Sequence, residues 1–294
     1  MHAAASELAP DDIVAPEETG QQASPPAEAA GVAEAPPPPA AEAEEGPPSE
    51  VDQWTPFTAT DGRRMRVSCT LEPVIQLASS APIGYRLARR VLDLPSERVL
   101  SQQEQSNLSR ADIGKIDFAT IARGIDRLSA EGGESALPCL VLPISCVTLS
   151  NFGARNVLAD LLKRAKDVVR HGLICEICDI EGVPLGTLQA AIQTLRPFCL
   201  RVVGRLRETP GFAVRQLKGA GLDGLSIECH EFATDQEFVV WTRNLTQVCR
   251  PVTKTVFLFQ VAGIRHAAFA SHLDVTHATI AAGRPMLRQS PYVA

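Results

Sequence analysis

The chain has 294 residues, 45% of them hydrophobic and 21% charged, with a formal net charge of −6. That balance supports a sizeable buried core and excludes collagen-like, coiled-coil and disulfide-mini-protein architectures. The charge is unevenly placed: residues 1–50 hold 11 acidic residues and no Lys or Arg, which leaves 23 acidic against all 28 basic residues in 51–294, a net of +5. A body this mildly basic, with no Lys/Arg block, does not read as a binder of nucleic-acid polymer.

The first 50 residues also hold 10 of the 22 prolines, 14 alanines and no aromatic residue. Such a segment cannot bury enough apolar area to offset its ordering entropy. Residues 1–51 are therefore expected to be a disordered acidic arm, extended at Pro36–Pro39, and 52–294 the folded body. The N-terminus has no basic region followed by an apolar stretch, so no signal peptide is expected. The apolar runs Ala136–Leu149 and Val256–Ile264 fall short of the ~20 residues a spanning helix needs, and Pro143, Ser145 and Gln260 interrupt them. No membrane insertion is expected. Cys69, Cys139, Cys146, Cys175, Cys178, Cys199, Cys229 and Cys249 sit mostly in apolar runs, as reduced, packed thiols of a cytoplasmic protein do.

Beyond the arm, apolar stretches predict eight strands: Met65–Leu71, Ile83–Arg90, Cys139–Cys146, Leu173–Asp179, Cys199–Gly204, Asp223–Glu228, Thr253–Phe259 and Asp274–Ile280. The small residues at 78–81 suit a hairpin between the first two. Helical periodicity predicts Ala111–Leu128 with Ser109 as cap, then Val157–Val169, then a helix opened by Pro184 and ending near Leu195. Thr234 can cap one more, ending near Val248. Gly132-Gly133 reads as a helix-ending turn. Repeating βα units imply a parallel sheet, and eight strands at this length favour a TIM-like (β/α)8 barrel in the α/β class. Chemistry on such a barrel sits at the carboxyl ends of the strands. Those ends read Arg89-Arg90, Ser145-Cys146, Glu176 to Asp179, Gly204-Arg205, Glu228 and Gln260, with few acids and several arginines.

The order of segments resembles the EAL domain family, barrels that hydrolyse cyclic di-GMP. LEPVIQLASSAPIGYRLARR at 71–90 is similar to that family's first hairpin, and LICEICDI at 173–180 to its Leu-Glu-Ile-Thr-Glu strand. LRVVGRL at 200–206, LDGLSIECHEF at 222–232 and AAGRPM at 281–286 occupy the places of its Asp-Asp-Phe-Gly, Leu-Lys-Ile-Asp and Phe-Gly-Arg-Pro segments. The resemblance covers roughly 60–290 and implies an EAL-type barrel with one antiparallel strand. It also implies a phosphodiesterase using two Mg²⁺ or Mn²⁺ ions held by carboxylates and one amide, which activate water for in-line attack.

Residue by residue, the match to that chemistry fails at most positions. The signature Glu falls on Arg86, the Asn ligand on Pro143, the Asp pair on Val203 and Gly204, and the assisting Lys on Ser226. A late Glu falls near Gln260. Glu176 keeps its acid, Glu228 keeps one in kind, and Arg90 matches the Arg implied to contact a ligand phosphate; the Gln before Pro is Glu72. Divalent cations need several hard, mostly charged oxygen ligands. No resident metal or other cofactor and no catalytic residue are therefore expected, and the former active site is assigned to Arg86, Arg90, Glu176 and Glu228. Glu176 should point inward with Ile174 and Cys178, and a buried carboxylate needs a partner; Arg86 is the expected one.

Two other motifs carry little. Cys175 and Cys178 lie in a strand, where i and i+3 point to opposite faces, and no second Cys/His pair completes a zinc site. His266, His272 and His277 lack the i, i+4 zincin spacing and read as exposed. No phosphate loop or Ser-His-Asp order is present. The expected function is a catalytically inactive EAL-like regulatory or interaction module with a protein partner, in cyclic di-GMP-linked control of motility or attachment. The alternatives are a non-hydrolysing cyclic di-GMP receptor, disfavoured by the lost contacts, and an active phosphodiesterase with unusual ligands. Homodimerisation is open, since relatives often dimerise through a helix beside the site.

Overall fold

The computed structural model describes residues 55–131, 138–207 and 211–281. The expectations for the arm at 1–51, for Gly132-Gly133 and for 282–286 lie outside these residues.

Strand β1 (Thr55–Thr58) precedes a long hairpin, β2 (Arg64–Gln76) and β3 (Ala81–Asp93). Then come β4 (Arg98–Val99), α1 (Gln102–Ser106), α2 (Arg110–Glu131), β5 (Leu140–Ser145), α3 (Cys146–Leu149) and α4 (Phe152–Val168). The chain continues through β6 (Leu173–Cys178), α5 (Leu185–Leu195), β7 (Arg201–Leu206), α6 (Gly211–Gln216), β8 (Gly224–Glu228), α7 (Asp235–Cys249), β9 (Val256–Val261), α8 (Ile264–His272) and β10 (His277–Ile280). Strands β2, β10, β9, β8, β7, β6, β5 and β3 pair in that order, and the β2–β3 pairing closes the ring. Only β2 runs antiparallel to its two ring neighbours; the other ring pairings are parallel. This is the eight-stranded α/β barrel with one reversed strand that the sequence implies.

Each of the eight expected strands is present, shifted by a few residues. Strands β2 and β3 run longer, at 13 residues each. Their outer halves leave the ring as a ribbon whose Met65, Val67 and Val91 pack against Ile113 and Ile116 of α2. β1 and β4 flank that ribbon and are too short for any periodicity to announce them. The caps form where the sequence places them: Ser109 Oγ accepts from the Asp112 amide at 3.1 Å, and Thr234 Oγ1 from the Glu237 amide at 3.2 Å. Helix α4 starts five residues earlier than expected, because Asn151 accepts from the Ala154 amide and supplies a cap there.

The alternation of strand side chains divides the core into two layers. Leu87, Leu142, Ile144, Leu173, Ile177 and Leu225 face the helices, while Val74, Val141, Ile174, Val203, Phe257 and Phe259 fill the barrel interior. Arg89 and Ser145, which the sequence reads as strand ends at the mouth, bond into the outer layer instead. Arg89 pairs with Asp117 of α2 at 2.5 Å, and Asp117 also accepts from the Ser145 amide at 2.9 Å and Thr148 Oγ1 at 2.6 Å. This buried cluster ties α2 to β3 and to the β5–α3 junction.

All eight thiols are free. Cys175 belongs to the outer layer, whereas burial pushes the Cys178 thiol up to about 12, so it stays protonated. The histidine expectation is corrected for two of three. His272 is exposed, but His266 stacks on Phe238 and bonds to Asp235 at 2.9 Å, and His277 stacks on Phe257. An imidazole offers a flat apolar face, and aromatic neighbours cover it. Among the described residues no helix is long and apolar enough to cross a membrane.

Candidate functional site

Strand parity sets the residues at the barrel mouth. Glu72 lies opposite Arg86, Pro143 opposite Glu176, Glu176 opposite Val203, and Arg205 opposite Ser226. Two residues on from Ser226, at the end of β8, stands Glu228. Gly204, on which one of the family's Asp pair falls, faces the helices, where a Cβ would come within 2.6 Å of Ile180 Cδ1 and 2.8 Å of Leu222 Cδ1. The inward residues of β7 are Val203 and Arg205.

Arg86 is the centre of the site. Its side chain is 1% exposed, and three carboxylates surround it: Nη1 donates to Glu72 Oε2 at 3.2 Å, Nη2 donates to Glu228 Oε1 at 3.0 Å, and Nε lies 3.5 Å from Glu176 Oε2. The Phe259 ring lies beneath, 4.0 Å from the guanidinium carbon, in cation–π reach. The expected Arg86–Glu176 pair thus exists within a larger network. Arg205 adds a second guanidinium, 2.7 Å from Glu228 Oε1. Neutral groups complete it: Ser226 Oγ donates to Glu176 Oε1 at 2.6 Å, Thr279 Oγ1 to Glu72 Oε2 at 3.3 Å, and the Gln260 side-chain amide to Glu72 Oε1. Gln260 holds φ at +58° and Asp179, just past β6, at +60°. Non-glycine residues seldom adopt that region, and strained residues of this kind cluster at functional sites.

The electrostatics follow from burial and pairing. Burial raises the pKa of Glu72 above the usual carboxylate value despite Arg86. Burial also works against the Glu228 carboxylate, but Arg205 and Arg86 outweigh it and hold its pKa low. Burial opposes the charge of Arg86, yet Glu176, Glu228 and Glu72 more than restore it, and its pKa stands above the ordinary value. Three carboxylates and two guanidiniums leave a net charge of −1.

Of the residues assigned from sequence, the structure brings Arg86, Glu176 and Glu228 together. Arg90 stands apart. It lies on the same face of β3 as Arg86 but four residues, roughly 13 Å, further along the strand, and it is exposed. Sequence reasoning missed Arg205, Phe259 and Thr279 as members of the site and did not assign Glu72 to it. The signal was available for Arg205, since alternation from inward Val203 reaches it two residues on. It was available for Glu72 too, which lies opposite Arg86 across the expected hairpin, but not for Thr279, whose bond to Glu72 joins residues 207 positions apart.

The pair of Mg²⁺ or Mn²⁺ ions implied by the resemblance does not fit these residues. The guanidinium of Arg86 stands between the carboxylates that would have to ligate them. A divalent ion ~4 Å from it would meet about 8 kcal/mol of repulsion at an effective dielectric of ~20. Pro143, opposite Glu176, offers no side-chain oxygen.

No protein-family model matches the chain, and no curated protein matches it. Solved structures do. A PaMucR phosphodiesterase in complex with c-di-GMP is 14% identical over 75% of this chain and 96% of its own, with a TM-score of 0.53. The FimX EAL domain from Pseudomonas aeruginosa, bound to c-di-GMP, is 15% identical over 73% of this chain and 88% of its own, at 0.51. The Vibrio cholerae LapD S helix-GGDEF-EAL chain is 10% identical over 73% of this chain at 0.50, and the match spans about half of it (52%). The fold of this chain is that of an EAL domain.

Proposed function

We propose that residues 52–294 form a non-hydrolysing EAL-like regulatory module that acts through a protein partner in cyclic di-GMP-linked signalling in the cytoplasm, with 1–51 as its acidic arm. The observation that carries this reading is the guanidinium of Arg86 among Glu72, Glu176 and Glu228. A metal-dependent phosphodiesterase concentrates positive charge on ions that grip phosphate and water. Here the positive charge belongs to the protein and its carboxylate partners already satisfy it. The signalling context rests on the likeness to EAL structures described as c-di-GMP complexes.

The test incubates the full chain with Mn²⁺ and cyclic di-GMP and separates products by ion-exchange chromatography. No linear dinucleotide is expected. Turnover that disappears in Glu176→Ala would refute the proposal.

The exposed position of Arg90 favours one second reading. Arg90 stands opposite Ser68 in the β2–β3 ribbon, and an exposed guanidinium suits bidentate phosphate contact, so a non-hydrolysing cyclic di-GMP receptor is the alternative. Calorimetry decides between them: heat of binding lost in Arg90→Ala supports the receptor, and no heat supports the interaction module.

A further inference from the structure

We propose that the face of the barrel opposite the mouth is a docking surface for an anionic phospholipid bilayer, which it meets peripherally through its charge. Strands β6 to β10 run parallel and all start at this end, so the connections leading into them gather on one face. Among the described residues, those connections and the strand starts carry six exposed cations, Arg170, Arg196, Arg201, Lys218, Arg250 and Lys254, against two carboxylates, Asp223 and Asp274. Both carboxylates are taken by cations of the same face: Arg196 lies 3.4 Å from Asp223, and Arg250 2.6 Å from Asp274. Arg170, Arg201, Lys218 and Lys254 have no ion-pair partner among the described residues. Nothing in the charge cluster at the mouth uses them.

The arrangement selects the occupant. The four unpaired cations precede or open β6, β7, β8 and β9, which are consecutive in the ring, with neighbouring strands ~4.8 Å apart. They follow the arc of the barrel, so a plane of phosphates can meet all of them at once, whereas one extended acidic peptide would meet them along a line. Leu200 opens onto the same face, 62% exposed, beside Arg201 in the chain. Against a bilayer such a leucine reaches the acyl boundary while Lys and Arg stems keep their charges at headgroup level. Between the connections into β9 and β10, a cleft of about 540 Å³ is lined by Arg250, Lys254, Thr253, Ser271 and Thr276. These are donors that suit a phosphate-bearing headgroup. The whole chain carries a net charge of −6, so attraction to an anionic surface has to come from a local face and not from the total.

This surface shares no residue with the mouth, so it and the proposed function can fail separately. The test co-sediments the full chain with vesicles of phosphatidylcholine, alone or with about 30% phosphatidylglycerol to make them anionic. Binding to the anionic vesicles only is expected, with release in ~0.5 M NaCl as the Debye length shortens. Each Lys or Arg near such a surface contributes about fivefold in partitioning, so Lys218→Gln/Lys254→Gln should weaken binding roughly 20- to 30-fold. Arg64→Gln/Arg110→Gln removes the same charge from exposed sites at the other end of the barrel and should bind as the wild type does. Tryptophan emission of Leu200→Trp should shift to the blue on anionic vesicles. Circular dichroism checks that each variant melts as the wild type does; all five substituted sites are exposed. Equal binding to both kinds of vesicle, binding to neither, equal losses in the two double variants, or unshifted emission would each overturn the proposal. So would retention of poly-L-glutamate by a chain indifferent to vesicles, which would make an acidic protein the occupant.

Discussion

Replacing Glu176 by Gln removes one charge and almost no volume from the centre of the barrel. The side chain is 0% exposed, and Arg86 Nε lies 3.5 Å from its Oε2. At an effective dielectric of ~20, that attraction is worth about 5 kcal/mol before solvation. Two effects reduce the loss. A neutral amide no longer carries the burial cost of a charge, and Arg86 keeps Glu72 and Glu228 as partners. Breaking a buried pair at one partner costs about 3–5 kcal/mol when the other charge is orphaned; with Arg86 still paired, about 2–3 kcal/mol is expected. The amide can also keep the Ser226 contact, since a hydroxyl both donates and accepts. For a domain of this size the loss lowers the melting temperature by roughly 4–12 °C, read by circular dichroism at neutral pH. In a double-mutant cycle with Arg86→Met, the two changes should couple by about 1–3 kcal/mol. A melting temperature within 2 °C of wild type, or additive effects in the cycle, would show that Glu176 and Arg86 do not hold one another.

Two further outcomes test the frame around the site. In Gly84→Ala the new Cβ would fall 1.8 Å from the Cys139 carbonyl oxygen at a φ of +154°, so the β3–β5 contact two residues before Arg86 must open; a loss of about 3 kcal/mol or more is expected in urea melts, and near-wild-type stability would refute the tight approach. His277 has its pKa lowered to about 4, first by burial against Phe257 and then by Arg201. The unfolded chain therefore binds this proton more readily, and the native fold loses stability as pH falls from about 6.5 to about 4. The slope stays below the roughly 1.4 kcal/mol per pH unit that one proton allows, because the ring is partly solvated. His277→Phe should flatten that limb of the stability profile, and parallel profiles would mean that the ring is not held neutral.

Much of the barrel is legible in the amino-acid order because its determinants are local. Each ring strand is a short apolar run between turn residues, and Ser109 and Thr234 each mark a helix start by a side-chain oxygen within one turn of the amide it accepts. What the sequence left open has equally physical causes. The side on which Gly204 points is set by the pleat of β7 and by the packing of Ile180 and Leu222 against it. The sequence reads Arg89 and Ser145 as strand ends facing the mouth, yet both bond to Asp117 of α2 in the outer layer. His277 looks solvent-facing in the chain and is covered by a ring twenty residues earlier.

For the charge cluster, the chain by itself determined which residues share a strand face, and the EAL resemblance set Arg86 and Glu176 on the inward one. It also determined that a positive group stands where the EAL resemblance expects a carboxylate. The resemblance also placed Glu228 with them; only the tertiary structure decided that Glu72, Arg205 and Thr279 join. Those contacts join residues 14 to 207 positions apart and depend on strand stagger and on the β2–β3 and β2–β10 pairings that close the ring. Strand register is a property of the closed barrel; no single segment carries it.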